Sequence, residues 1–426
     1  MDKHLISLPK KMYLVVGDKF ELFYRGVVRM HNPYTYYVKA SCKKGYTYNR
    51  YFTFTPTKED VGEYQLTISL YNDFGEVIEE ANTTLVVNDI VDTDKIVTVL
   101  CFGDSLTYNG VWPNTGFTRY NDVHPDKLNF IGKMKKDKIG YEGYGGWQWK
   151  TFAEENKVSY TSSVWVTCKH NLDYSDQHSI WKSNDLLWVL ETIEKDKLKF
   201  KRGEGNNKTN PSLGDVMEFV ANGVHKDQIK IDSYEYSDGN PFWNANINDI
   251  DFDYYVKTNN FDKPDLVFIL LSWNGQYIPY NTDFSVHNKY ASQIINKIHK
   301  AFPNALIGLL GIQLPCPNGG ITACYGASGY YHDWYGETIT AFNYDEWLEN
   351  FAYRNEYRDF VTYFDVKSLF DSEYNYYCKD EPVNNRSKIL ERIGVNGIHP
   401  SMDGYLQMGD IFYKALVEMI KKNNER

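Results

Sequence analysis

Val97-Thr98-Val99-Leu100-Cys101-Phe102 is a β-branched, apolar run that stops abruptly at Gly103-Asp104-Ser105-Leu106. A strand of this kind delivers one serine hydroxyl to the edge of a sheet, in a turn that needs a glycine. The chemistry open to such a serine is nucleophilic attack. A hydroxyl is a weak nucleophile at neutral pH. It needs a base, usually a histidine, to take its proton, and donors to hold the oxyanion of a tetrahedral intermediate. The rest of the chain must supply both.

Gly103-Asp104-Ser105-Leu106 resembles the first motif of the SGNH, or GDSL, hydrolases, a family of serine esterases and lipases. The resemblance implies Ser105 as nucleophile, its backbone N–H as one oxyanion donor, and Asp104 beside the substrate. Tyr141-Glu142-Gly143-Tyr144-Gly145-Gly146-Trp147-Gln148-Trp149 looks like the second motif, in which a glycine N–H points into the hole. Gly146 takes that role, with Gly145 as the neighbouring alternative. The run Leu266 to Leu271 leads into Ser272-Trp273-Asn274-Gly275, where the family has Gly-x-Asn-Asp. Asn274 matches and would donate its side-chain amide; Ser272 and Gly275 depart from the pattern. Gly394-Val395-Asn396-Gly397-Ile398-His399-Pro400-Ser401 is similar to the Asp-x-x-His block and implies His399 as the base. Trp147 and Trp273 lie beside these motifs and are candidates for substrate contact.

The main departure is Asn396, which stands where the family has the aspartate that steers the histidine. In the serine-protease template the same loss of charge costs about 10⁴ in turnover, because the imidazole takes the wrong tautomer. Three arrangements remain open. Another acceptor orients His399, Asn396 accepts through its own carbonyl oxygen, or the site is a degenerate binding pocket. The intervals after Gly146 and after Asn274 are longer than the family's, so insertions are expected near 152–258 and 316–360. The first carries Trp165, Trp181, Trp188 and Trp243; the second carries Tyr325, Tyr330, Tyr331, Trp334 and Tyr335. These rings either line a sugar cleft or form the insertions' own small cores.

The elements around these motifs fall into two patterns. Residues 1–92 read as all-β. Tyr64, Leu66, Ile68 and Leu70 alternate with Gln65, Thr67 and Ser69, the period of a half-buried strand. Asp60-Val61-Gly62-Glu63-Tyr64 resembles the tyrosine corner of immunoglobulin-like sandwiches, although Leu66 replaces the usual cysteine. Asp89 to Lys95 reads as a polar linker. From residue 93 to 426, buried strands such as Leu266–Leu271 and Ala305–Leu310 alternate with amphipathic helices at 287–301 and 405–421. The expected fold class is α/β: a three-layer α/β/α, flavodoxin-like SGNH-hydrolase domain with a parallel sheet, preceded by a small Ig-like β-sandwich.

Bulk properties narrow the partners. The net charge is -10, which argues against nucleic acid, because phosphate binding needs basic patches. Aromatic residues make up 16% of the chain, compatible with a neutral sugar substrate. The apolar runs are strand-sized, so no membrane insertion is expected. No residues have metal-ligand spacing and no nucleotide-binding loop is present, so neither cofactor nor metal is expected. The six cysteines are scattered. Cys316 and Cys324 are close enough to pair, but free thiols are expected. The first residues lack an apolar signal core, which implies a cytoplasmic location, or an extracellular one reached after signal removal or by a route such as a phage particle. The reading is a serine esterase acting on small acyl groups, acetyl foremost, on a carbohydrate. The alternatives are a lipase, lysophospholipase or thioesterase of the same family, and a non-catalytic carbohydrate-binding or phage tail-associated adhesion protein.

Overall fold

The computed structural model describes residues 4–30, 32–155, 163–183, 186–203, 215–226, 228–236, 239–275, 278–317 and 334–426. The chain divides into two compact units, one of residues 1–150 and 256–426, the other of residues 151–255.

The first unit begins with β1 (Lys11–Val15), β2 (Phe20–Phe23), β3 (Tyr37–Ser41), β4 (Tyr46–Thr47), β5 (Tyr51–Phe54), β6 (Gly62–Tyr71) and β7 (Val77–Asn88). They form a four-stranded sheet in the order β1-β7-β6-β3 and a three-stranded sheet in the order β2-β5-β4. The period-two pattern of β6 is expressed directly. Leu66, Ile68 and Leu70 are fully buried, while Gln65 and Thr67 are not.

The serine-bearing strand is β8 (Val97–Gly103), buried along its whole length. It lies inside a seven-stranded sheet with β9 (Leu128–Ile131), β10 (Met134–Lys136) and β11 (Ile139–Gly143). The sheet is completed by three strands from the second half of the chain: Leu266–Leu270, Leu306–Leu310 and Val361–Phe364. On one side of β8, Phe102 and Gly103 register with Glu142 and Gly143; on the other, Gly103 registers with Leu270. Both pairings are parallel, so three strands end together and release three loops at one edge. The helices α1 (Ser105–Tyr108), α2 (Val111–Asn121), α3 (Ser285–Ala301), α4 (Trp334–Ala352) and α5 (Met402–Asn424) complete the unit. Phe412 of α5 joins it to the sheet, meeting Trp112 at 4.8 Å and Phe268 at 4.9 Å, both edge-on.

Residues 151–255 build a seven-stranded antiparallel sheet of Ser163–Thr167, Ile180–Ser183, Leu186–Ile193, Lys197–Arg202, Val216–Ala221, Ile229–Lys230 and Ser233–Tyr236. Its core holds Val164, Trp181, Trp188, Leu190, Phe200 and Met217.

The expected fold class does not hold. The chain is not a three-layer α/β/α, flavodoxin-like fold behind a small Ig-like sandwich. Strands outweigh helices, 33% to 26%, and several of the sheets are curled and antiparallel. Among the described residues, parallel pairing is the rule in one sheet alone, and that sheet also takes the antiparallel edge strand β10. The physical reason is that strand–helix alternation was read from a few long apolar runs. The many short, half-polar strands of 151–255 satisfy each other through hairpins, and such segments leave a weak periodic signal.

Gly103 is where close packing is tightest beside the serine. A Cβ there would lie 2.2 Å from the Leu270 carbonyl oxygen and 2.4 Å from Thr107 Oγ1. Gly103→Ala is therefore expected to lower stability by about 1–3 kcal/mol through overpacking, read as a drop in the denaturant midpoint.

Candidate active site

The turn after β8 is shaped by one buried carboxylate. Asp104 caps α1, with Oδ1 accepting from the Leu106 N–H at 2.9 Å. Its Oδ2 accepts from the Ser272 N–H at 2.9 Å and from Ser272 Oγ at 3.0 Å. The Asp104 side chain therefore ties the serine turn to the loop that carries Asn274. Burial pushes its pKa up to about 6, and the three donors offset only part of that.

Ser105 and His399 meet. His399 Nε2 lies 2.9 Å from Ser105 Oγ. Both line a cavity of about 270 Å³ with Asp104, Gly145, Gly146, Ser272, Trp273, Asn274 and Ile398. The residues singled out for a nucleophile, a base and an oxyanion hole thus share one small space. Gly146 has φ +80°, a left-handed conformation that a Cβ would strain. It occupies the third position of a turn closed by the Trp147 N–H on the Tyr144 carbonyl. The Tyr144 N–H in turn donates to the Gly103 carbonyl, which holds that turn against the end of β8.

The two tryptophans have packing partners. Trp147 stacks on Tyr144 with ring centroids 4.3 Å apart. Trp273 is fully buried, and its indole N–H donates to the Gln313 carbonyl at 3.2 Å. Among the aromatic residues of the expected insertions, Trp181 and Trp188 are fully buried in the core of residues 151–255. Tyr335 is exposed. Tyr325, Tyr330 and Tyr331, the Trp334 side chain and Cys324 lie outside the described residues. Cys316 is buried.

Asn396 does not accept from the His399 ring. Its Oδ1 is occupied by the backbone N–H groups of Ile398 (3.1 Å) and His399 (2.8 Å). Its Nδ2 faces His399 Nδ1 at 3.4 Å. Exchanging the amide's oxygen and nitrogen would set two backbone donors against an NH₂ group, so hydrogen bonding selects the observed orientation. An amide N–H aimed at Nδ1 favours the tautomer that keeps its proton on Nε2. In that tautomer Nε2 donates to Ser105 and cannot take its proton.

Three residues that sequence reasoning missed hold the histidine and asparagine loops. Gln313, fully buried, donates from Nε2 to the Ile398 carbonyl at 3.0 Å. Arg25, near the N-terminus and also buried, donates to the Pro315 carbonyl at 2.9 Å and to Ser372 Oγ. Tyr344 on α4 donates to the Leu271 carbonyl and accepts from the Trp149 indole at 2.9 Å. None stands in a local motif. The only sequence signal was a buried-type context interrupted by a polar residue, as in Leu310-Gly311-Ile312-Gln313-Leu314.

In residues 151–255, Asp173, Asp176 and His225 bring three potential ligand atoms within 4.8 Å, a grouping that sequence spacing did not suggest. The Asp176 carboxylate is already engaged. It accepts from the N–H groups of Val224, His225 and Asp173, and pairs with His225 Nδ1 at 2.6 Å. These bonds close a turn and leave little lone-pair capacity for an ion. No helix among the described residues is long and apolar enough to cross a membrane.

No family model matches the chain, and no curated protein matches it. Among solved structures, a peptidoglycan O-acetylesterase aligns at TM-score 0.34 and 10% identity, covering 77% of this chain and 92% of that one. An endo-fucoidan hydrolase of glycoside hydrolase family 107 aligns at 0.13 and 9%, covering 52% and 27%. Domains 5-6 of the S-layer protein SbsC align at 0.15 and 9%, covering 54% and 98%. Likeness this weak carries no argument about the chain's fold or activity.

Three outcomes follow from the geometry. Gln313→Ala removes the donor that fixes the carbonyl beside His399. It should lower kcat by about 10-fold or more with little change in KM, because a loosened base misaligns the reacting atoms. The second outcome concerns pH. Burial disfavours the imidazolium, so the His399 pKa lies below its ordinary 6.5. The neutral base then survives to lower pH, and the acid limb of the rate profile should have its midpoint below 6.5. Asn396→Asp adds a charge that stabilises the imidazolium. It should move that midpoint upward while raising the plateau, by up to about 10⁴-fold.

Proposed function

We propose that the chain is a serine esterase that removes small acyl groups, acetyl foremost, from a carbohydrate. The observation that carries this reading is the 2.9 Å contact between Ser105 Oγ and His399 Nε2, in a cavity shared with Gly146 and Asn274. Ser105 attacks the ester carbonyl as His399, in its less favoured tautomer with Nε2 unprotonated, takes its proton. The N–H groups of Ser105 and Gly146 and the Asn274 side-chain amide hold the oxyanion. His399 then protonates the departing sugar alkoxide. Water, activated by the same base, releases the acid from Ser105.

The size of the cavity supports a short acyl group over a lipid chain. At about 270 Å³ it lies below the span of ordinary small-molecule pockets, roughly 300–1,000 Å³. The high aromatic content of the chain is compatible with a sugar on the alcohol side. A second reading, a non-catalytic carbohydrate-binding protein on a decayed esterase site, is favoured by the Asn396 Nδ2 aimed at His399.

Hydrolysis of p-nitrophenyl esters of increasing chain length tests these readings together. Activity highest on acetyl, falling steeply by octanoyl and reduced to background in Ser105→Ala, is the expected result. Preference for long chains would support a lipase instead. Absence of turnover, with a fluorophosphonate failing to label Ser105, would support the binding protein.

A further inference from the structure

We infer that Asn396 is a self-modification site, and that loss of ammonia from its side chain converts it to aspartate and switches the histidine on. The argument starts from what surrounds the carboxamide. Its oxygen is gripped by two backbone N–H groups, at 3.1 and 2.8 Å. Two donors on a carbonyl oxygen polarise its carbon and stabilise the oxyanion formed when a nucleophile adds there, as an oxyanion hole does. Its nitrogen, the leaving group, faces His399 Nδ1 at 3.4 Å. The next residue is Gly397, whose peptide nitrogen meets the least steric resistance when it closes on its neighbour's side chain.

The chemistry balances without any redox partner. The Gly397 peptide nitrogen loses its proton to solvent base and adds to Asn396 Cγ. The Cγ–Nδ2 bond breaks, and ammonia leaves with a proton taken from water. The resulting succinimide takes up one water. Attack at Cγ reopens the bond to Gly397 and yields aspartate with a normal backbone. Attack at the main-chain carbonyl would yield isoaspartate. The two donors that hold Oδ1 polarise Cγ again and favour the first product.

The consequence is electrostatic and local. Aspartate at position 396 keeps the two backbone bonds through one oxygen. The other oxygen replaces the NH₂ group facing Nδ1. A donor becomes a charged acceptor, the favoured tautomer moves its proton to Nδ1, and Nε2 is freed to take the Ser105 proton. The chain would be made with a weakly active site and would mature with time. This inference rests on the esterase reading for its effect on activity, but the modification itself does not.

The chain offers internal controls. Asn109-Gly110, Asn222-Gly223, Asn274-Gly275 and Asn318-Gly319 are the other Asn-Gly pairs, and Asn109 Oδ1 accepts only one described backbone N–H, from Val111 at 3.0 Å. The experiment incubates freshly purified full-length protein in mildly alkaline buffer. Peptide mass spectrometry resolves asparagine, aspartate and isoaspartate at each pair, and acetyl-ester hydrolysis is followed alongside. The expected result is aspartate as the main product at position 396 and isoaspartate as the main product at positions 109 and 222. Activity should rise in proportion to the fraction of chains carrying aspartate at position 396, towards that of freshly made Asn396→Asp. Ser105→Ala should convert at the same rate without gaining activity. Intact Asn396 after the other pairs have turned over would overturn the proposal, as would isoaspartate as its main product. An Asn396→Asp variant no more active than an active parent would overturn the switch. If neither form hydrolyses esters while aspartate accumulates at position 396, the esterase reading fails and the modification stands.

Discussion

The Asp104 carboxylate is the tie on which the arrangement of the site depends. Serine turns and asparagine loops emerge at the ends of adjacent parallel strands, but strand pairing alone stops at Gly103 and Leu270. Beyond that point the loops are free to diverge. Asp104 prevents this by accepting from the Leu106 N–H on its own turn and from two donors of Ser272 on the neighbouring loop. Three donors on one buried carboxylate are worth more than separate neutral hydrogen bonds, because charge-assisted bonds in a dry setting are strong and costly to leave unmade. Ser105 and Asn274 are thus held on either side of one cavity.

The histidine arrives by a different route. It stands just before the final helix, and its loop is pinned from below by Gln313 through the Ile398 carbonyl and by Cys316 through the Gly397 carbonyl. The segment that carries both residues is anchored by the buried Arg25 at the Pro315 carbonyl. The N-terminal residues are therefore part of the support of the site through hydrogen bonds.

Legibility in the sequence followed how local each signal was. Ser105 and His399 stood out because each sits in a short motif with its own strand or helix context. The strand before Ser105 and the amphipathic helix at the C-terminus were visible as apolar runs of the right period. The fold class was misread because those few long runs dominated, whereas the hairpins of residues 151–255 carry alternation over only four to eight residues apiece. Gln313, Tyr344 and Arg25 left no readable signal, since each acts on a carbonyl far away in sequence. Trp181 and Trp188 were visible as residues, yet whether they faced a cleft or a core depended on their cross-strand partners, and they face a core.

By itself the sequence determined the local chemistry: a serine hydroxyl after a glycine turn, an imidazole ahead of the last helix, and at position 396 a side chain without charge that is followed by glycine. Those are properties of residue types and their immediate neighbours. Only the tertiary structure decided that the hydroxyl and imidazole meet, because 294 residues separate them. It also decided which end of the Asn396 carboxamide faces the ring. An amide offers both a donor and an acceptor, and the backbone N–H groups of Ile398 and His399, fixed by the fold of their loop, take the acceptor for themselves.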